Sequence, residues 1–291
     1  MNQGLRDALR PLRELPKMIE SIEGLDAAAG TMKKLASPKL GPGTALNETL
    51  GGADLGHPIH PLLTDVAIGA WTSAVMLDFV GGKRGRKAAD RLIAIGLASA
   101  GPTVLTGLND WITLQGAEQR LGVAHAGANA AATALYGLSW VSRKRGRRLR
   151  GKLLALAATG VASGGAYLGG HLAYKRGIGV DHTAFMALPS EWVEVAGDGD
   201  LTEGSPICAD VKGTKVMVVR DHGSVYALAD VCSHEGGPLH EGKIEAGCVV
   251  CPWHASKFKL SDGSPVGGPS AYPQPTLDVR TVGGKIQVRK T

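Results

Sequence analysis

Residues 230–256 read DVCSHEGGPLHEGKIEAGCVVCPWHAS. Two mixed pairs lie in this stretch, Cys232-Ser-His234 and Cys251-Pro-Trp-His254, with sixteen residues between them. Each pair offers one thiolate and one imidazole. Two facing loops can therefore set both cysteines on one iron of a [2Fe–2S] cluster and both histidines on the other. Tetrahedral zinc also accepts two Cys and two His. Zinc fingers, however, group their ligands as Cys-x2-Cys followed by a His pair, so the mixed pairing favours the cluster. Cys248 and Cys251 mimic a redox Cys-x-x-Cys. With Cys251 taken as a ligand and Cys248 in an apolar strand, Cys248 is expected to be a small buried hydrophobe, and Cys208 likewise. Four cysteines in 291 residues make no disulfide scaffold.

Around these loops, from about Pro189, strand-length alternating segments are separated by Gly, Pro and Asp: TKVMVVRDHGSVYALAD, GCVVCPWH, FKLSDGSPVG and TLDVRTVGGKIQVRK. Such spacing predicts a small all-β domain over 189–291. His222, in RDHGS, is expected in a solvent-facing hairpin turn, and His240 beside the cluster loop without ligating. The glycines of HEGGPL and GSPVGGP allow backbone to approach and cover a cluster.

The pattern C-x-H-x16-C-x-x-H closely resembles the Rieske family, over roughly residues 190–291. The resemblance implies that Cys232, His234, Cys251 and His254 hold the [2Fe–2S] cluster. Respiratory members carry an extra cysteine in each loop; Gly237 and Trp253 stand at those positions here, as in the ferredoxin type. Members tune potential through a serine and a tyrosine hydrogen-bonded to cluster sulfurs. Ser256 matches the serine, while Phe258 stands where the tyrosine would. A potential between the low ferredoxin and high respiratory extremes is therefore expected, with reduction linked to proton uptake at the outer histidines.

Upstream the chain changes character. Four apolar stretches, about 62–80, 92–111, 121–141 and 153–174, have the length of membrane spans. Asp65 and Asp78 burden the first and Pro102 interrupts the second. Gly, Ala and Ser throughout suit close helix contact in lipid, where no hydrophobic drive separates helix from helix. A soluble alanine-rich bundle is the alternative. The fold class expected is thus α + β in two domains: a four-helix transmembrane bundle followed by a small all-β Rieske-type iron–sulfur domain. Its divisions are an amphipathic or flexible N-terminal segment (1–50), a membrane domain (51–176) and the cluster domain (189–291). In the first segment Leu5, Leu9, Leu12, Met18, Ile19 and Ile22 recur at helical spacing among Arg6, Arg10, Arg13 and Lys17, with Pro11 and Pro16 interrupting. That helix suits a membrane surface or a plain solvated role. No uninterrupted apolar run opens residues 1–30, so no signal peptide is expected.

Four histidines fall at span ends. His57 and His60 precede the first, His125 begins the third, and His171 ends the fourth. Antiparallel threading brings all four to one membrane face, the face bearing the cluster domain. Haem b, another metal or a quinol are candidate ligands there, with Asp65, Asn109 and Asp110 as neighbours. Interfacial helix caps are the structural alternative, and Pro58 and Pro61 make a rigid turn at His57 and His60. The stretch GHPIHPLLTDVAIGAW and the four short spans resemble the DUF2231 family of bacterial membrane proteins, over roughly residues 50–175.

The net charge of +6 is concentrated in Lys83–Arg91 and Arg143–Lys152, between apolar stretches and away from aromatic platforms. This excludes nucleic acid as a partner and marks cytoplasmic loops. The cluster domain then falls on the outer face of a multi-pass cell-membrane protein. Arg147-Arg148 before the last span partly resembles a folded-protein export address. The expected function is a membrane-anchored electron carrier between unidentified redox donor and acceptor proteins or quinol. A small quinol or haem-linked oxidoreductase and a redox sensor are the alternatives. A terminal oxygenase is not expected, since 37 residues follow His254 and cannot supply its mononuclear iron domain.

Overall fold

The computed structural model describes Gly4, Asp7 and residues 10–291. Leu5, Arg6 and Leu9 of the amphipathic pattern lie outside the described residues. The chain forms two compact units. One comprises the chain up to Pro38 together with Ile59–Arg176; the other comprises Lys39–Pro58 and Gly177–Thr291. This division differs from the expected boundary at residue 51. Lys39–Pro58 goes with the cluster unit because the short helix within it seats on the chain around Gly268. The Glu48 carboxylate accepts the Gly268 backbone N–H at 3.2 Å, and a Cβ on Gly51 would meet the Pro269 carbonyl at 3.3 Å.

In the helical unit, α1 is Arg10–Glu20, α2 is Leu25–Leu40, and the longer helices are α4 (Ile59–Val80), α5 (Arg86–Trp111), α6 (Gly116–Lys144) and α7 (Arg148–Arg176). Helix α3 (Ala45–Gly51) belongs to the other unit. Three of the long helices, α4, α5 and α7, are long and apolar enough to cross a membrane; α6 is not. The expected count of four spans is corrected to three candidates, because the centre of α6 is Ala- and Gly-rich and carries His125 and Asn129. Large apolar side chains such as Met76, Phe79, Val104 and Leu153 face outward, as a surface solvated by lipid requires.

The four long helices form two antiparallel hairpins, and the hairpins repeat one another. Adding 65 to a position in α4 gives its counterpart in α6. His60 maps to His125, Ala67 to Ala132, Trp71 to Tyr136 and Asp78 to Arg143. Adding 62 to a position in α5 gives its counterpart in α7. Ile93 maps to Ala155, Gly96 to Ala158 and Gly107 to Gly169. The core obeys the same relation. Trp71 stacks on Tyr136, ring centroids 4.3 Å apart and 15° from parallel. A Cβ at Gly96 would fall 2.3 Å from the Trp71 indole nitrogen, so only glycine admits that ring. Asp78 ion-pairs with Arg143, the side chains being 4% and 0% exposed, and Asp90 and Arg148 complete the network at 2.6 Å. Contacts between equivalent positions form near the axis relating them. A pseudo-twofold therefore runs along the facing stripes of α4 and α6. The acid of α4 is thus neutralised by a base of α6, and the second arginine of the export-like pair is committed to the same network.

Helix α1 and the start of α2 dock on the chain around Arg120 and Arg176. Arg120 grips Asp26 through two hydrogen bonds, at 2.8 and 2.7 Å, and Arg176 pairs with Glu20 at 2.6 Å.

The strands of the second unit pair antiparallel in two sheets. A six-stranded sheet runs β1 (Val193–Gly197), β10 (Lys285–Lys290), β9 (Thr276–Val282), β4 (Ser224–Ala229), β3 (Thr214–Asp221) and β2 (Ile207–Val211). A smaller sheet runs β5 (Lys243–Glu245), β6 (Cys248–Val250), β7 (Lys257–Lys259) and β8 (Pro265–Gly267). Two-residue loops ending in glycine close the hairpins, among them His222-Gly223 and Gly283-Gly284, with positive φ at all four residues. That geometry matches the twist of the strands it joins. The apolar run Val216–Val219 is buried throughout because β3 lies between two cores. Val216 and Val218 pack with Ile286 and Leu277 on one face; Met217 and Val219 pack with Val249, Phe258 and the two pair cysteines on the other.

Candidate metal centre

The loop following β4 carries Cys232 and His234, and the loop between β6 and β7 carries Cys251 and His254. The two loops share one backbone design. The Gly236 N–H donates to the Cys232 carbonyl at 2.9 Å, and the Ala255 N–H to the Cys251 carbonyl at 3.1 Å. In return the Cys232 N–H donates to Gly237 at 2.9 Å and the Cys251 N–H to Ser256 at 2.8 Å. Closing each turn needs a left-handed residue: Gly236 at φ 77° in one loop and Ala255 at φ 59° in the other. Ala255 bears the cost of that conformation for a side-chain-bearing residue.

The result is a graded donor set. The cysteines are buried, at 1% and 4% exposure, and the imidazoles lie further out, their side chains 14% and 13% exposed. The two rings stand perpendicular with centroids 5.2 Å apart. Glu235 reaches both, its carboxylate 4.0 Å from His234 Nε2 and 3.5 Å from His254 Nδ1. The thiols adjoin and share a hydrogen bond, which lowers Cys251 to about 7, helped by the backbone N–H groups of Trp253 and His254. The same bond, together with burial, pushes Cys232 up. Burial, then the charges of His254 and His182, lower His234 to about 3, so the imidazole is neutral and its lone pair is available to a metal.

Two observations test whether a [2Fe–2S] cluster fits. Ser256 Oγ is fully buried with no hydrogen-bond partner, a costly state unless an acceptor such as a cluster sulfur receives its proton. A Cβ on Gly237 would lie 2.9 Å from Cys251 Sγ and 3.0 Å from the Trp253 ring, so the backbone must be bare beside the thiolates. The residues fit the group. Phe258, fully buried beneath the site, brings no hydroxyl. Ser256→Ala is expected to lower the midpoint potential by about 60 mV, since a hydrogen bond worth ~1.4 kcal/mol more to the reduced cluster equals a tenfold change in a one-electron couple. Phe258→Tyr is expected to raise it. Protein-film voltammetry reads both, and an unchanged Ser256→Ala potential would remove the serine from the site.

Several supports are absent from the sequence reading. The Gln274 amide is buried and locks the first loop: its nitrogen donates to the Ala229 and Val231 carbonyls at 2.7 Å, and its oxygen accepts the Ser233 N–H at 2.9 Å. Asp230, 1% exposed, accepts the His240 backbone N–H at 2.8 Å and pairs with its ring. His182 donates its backbone N–H to the Ser233 carbonyl at 3.0 Å and faces Gly236. No spacing rule announces these residues, because they act through distant strand ends. His222 lies exposed in its hairpin turn and Cys248 is buried. Cys208 corrects the expectation of burial. It is exposed on edge strand β2, where Ala209 and Val211 take the inward positions, and its Sγ lies 3.6 Å from Asp230.

The histidines assigned to the membrane face separate into three settings. His57 belongs to the cluster unit, edge-on to Tyr272 at 6.5 Å. His171 lies 3.5 Å from Glu20. His60 packs against α5 at Thr103 and Gly107, and His125 against α7 at Gly165 and Gly169, equivalent places in the two hairpins. Asn109 is buried in α5, while Asp65 is exposed on α4.

A β unit with two Cys–His loops over a shared core is a one-electron iron–sulfur module. Residues 191–280 match the family described as "Rieske [2Fe-2S] domain", and the chain belongs to that family. Residues 56–182 match "Predicted membrane protein (DUF2231)". The chain is 34% identical over 100 residues to the anthranilate 1,2-dioxygenase ferredoxin subunit of Burkholderia cepacia, covering 34% of this chain and 92% of that protein. It is 33% identical over 114 residues to apoptosis-inducing factor 3 of Homo sapiens, covering 37% of this chain but 18% of that protein. Among solved structures, the ferredoxin of carbazole 1,9a-dioxygenase from Nocardioides aromaticivorans IC177 is 38% identical, covering 35% of this chain and all of that one, with a TM-score of 0.34.

Proposed function

We propose that the protein is a membrane-anchored electron carrier, holding a [2Fe–2S] cluster on Cys232, His234, Cys251 and His254 and passing single electrons between a redox donor and an acceptor protein. The observation that carries this reading is the paired loop design, with inner thiols, outer imidazoles and an unpartnered serine hydroxyl. The cluster supplies reversible one-electron chemistry. The protein's share is to exclude water from the cysteines while leaving the imidazole edges near the surface, where a partner can approach. Relatives named as ferredoxin components of dioxygenase systems support an oxygenase or reductase as that partner.

The anchor reading rests on the apolar outward faces of α4, α5 and α7. Both basic loops join the helix ends that the Asp78–Arg143–Asp90–Arg148 network ties together, which supports a cytoplasmic position for them. The cluster domain, continuous with the opposite helix ends, is then on the outer face. Reporter fusions at the C-terminus test this: activity only in a cytoplasmic reporter reverses it.

EPR of the detergent-purified full-length chain tests the carrier reading. The expected result is a Rieske-type signal on reduction, with about two iron atoms per chain. Zinc in place of iron, with no signal, overturns it. A second reading, in which the helical unit itself holds a redox group, haem or quinol, is favoured by the equivalent positions of His60 and His125 in the helix repeat.

A further inference from the structure

His60 and His125 occupy the same position in the two hairpins, and their surroundings repeat as well. His60 Nδ1 faces the Thr103 carbonyl at 3.0 Å and the Thr106 hydroxyl at 3.2 Å. His125 Nδ1 faces the Gly165 carbonyl at 2.8 Å. Thr103 and Gly165 are themselves equivalent, 62 apart. Each ring sits in a glycine notch one turn further on. A Cβ on Gly107 would fall 2.6 Å from His60 Cε1, and one on Gly169 would fall 2.9 Å from His125 Cε1. The second residue of each local pair is conserved in role: Thr64 Oγ1 donates to the His60 carbonyl at 2.8 Å, and Asn129 Nδ2 to the His125 carbonyl at 3.0 Å.

A nitrogen facing a carbonyl must carry the proton, so Nδ1 donates in both rings and Nε2 keeps the lone pair. Fixing one ring nitrogen on a backbone acceptor to aim the other is how proteins prepare a histidine for a metal. The Asn129 amide also lies 3.1 Å from His125 Nε2, and its bond to the backbone carbonyl satisfies it when that lone pair is taken.

The stripe that bears the histidines is the axis stripe. His60 stands eleven residues before Trp71, and His125 eleven before Tyr136. Eleven residues are about three turns, so each histidine keeps the azimuth of the stacked ring it precedes. Since those rings touch across the axis, the imidazoles face it too. Among the described residues no third Cys, Asp, Glu or His donor gathers with them. A bare zinc ion wants three or four protein ligands. Haem iron, with four positions filled by its macrocycle, wants two.

We propose that His60 and His125 are the two axial ligands of a haem iron on the pseudo-twofold axis of the helical unit. The proposal rests on the reading of that unit as redox-active and assigns it a cofactor class. His57 and His171 are outside the pair.

The test is visible spectroscopy and pyridine haemochrome assay on the full-length chain, purified from haem-supplied cells. One low-spin haem per chain is expected. Its sharp reduced α-band should vanish in His60→Ala and in His125→Gly, and persist in His57→Ala and His171→Ala. Exogenous imidazole should restore the low-spin band to His125→Gly, which separates a lost ligand from a lost fold. Haem retained in both ligand variants, or lost only in His171→Ala, overturns the assignment. If no haem binds but quinol still reduces the cluster through His60, the inference falls and the redox-active reading stands. If neither occurs, both fall. The cluster signal of the same sample is read independently in each case.

Discussion

Cys251→Ser in the full chain is expected to abolish the cluster, with iron falling from about two atoms per chain to near zero and no reduced EPR signal. Cys251 is the thiol of the pair already biased toward thiolate, by Cys232 and by the amides of Trp253 and His254. A serine hydroxyl has no comparable tendency to ionise and binds iron as a hard oxygen donor rather than a soft sulfur one. The fold itself should survive. The core of Val216, Val218, Leu277, Ile286 and Val288 lies on the sheet face away from the cysteines and loses nothing. Far-ultraviolet circular dichroism should therefore match that of the parent chain while the visible spectrum bleaches. Gly237→Ala is an informative partner, since its Cβ would press within 2.9 Å of Cys251 Sγ without removing a donor. A cluster that persists in Cys251→Ser would mean that the four-ligand set is wrong.

Arg143→Ala is expected to destabilise the helical unit by about 3–5 kcal/mol, the range for stripping one partner from a buried ion pair. Asp78, 4% exposed, would be left with its charge in a low-dielectric setting. The guanidinium also holds Ser139 at 3.1 Å and Asp90 at 3.3 Å, and a Cβ on Gly151 would come within 2.6 Å of its stem. Truncation therefore leaves a cavity as well as a charge. Because Asp78 and Arg143 are equivalent positions, the exchange Asp78→Arg with Arg143→Asp rebuilds the pair across the same axis. It should recover part of the loss, limited by the fixed neighbours Asp90 and Arg148. Thermal unfolding in detergent measures both. A single-variant loss under about 1 kcal/mol would class the pair with solvated surface bridges.

The two Cys–His pairs proposed to hold the cluster are legible in sequence, because metal chemistry constrains residue type and local spacing together. The strands were legible where alternation and x-Gly turns coincide, as in Ser224–Ala229 and Thr276–Val282. The membrane half was less so. Apolar length announces helices, yet Ala-rich sequence blurs the difference between a span and a packed helix, and α6 falls on the wrong side of that line. Gathering the four histidines on one face followed from threading alone. Threading ranks residues by depth and knows nothing of azimuth, so it could not separate His60 and His125 from His171 on Glu20 or His57 on Tyr272. The repeat is also hidden in the sequence, since Trp71/Tyr136 and Asp78/Arg143 are equivalent in place but unlike in letter.

Local composition and period alone give the two Cys–His pairs, the all-β character of the segment that bears them and the apolar character of the helices. Chain closure adds that Lys39–Pro58 joins the cluster unit, that Gln274 and Asp230 brace the first Cys–His loop, and that two histidines 65 residues apart take equivalent places in two hairpins. Those facts depend on which surfaces meet after the chain closes, and contacts between distant segments leave no period in the sequence.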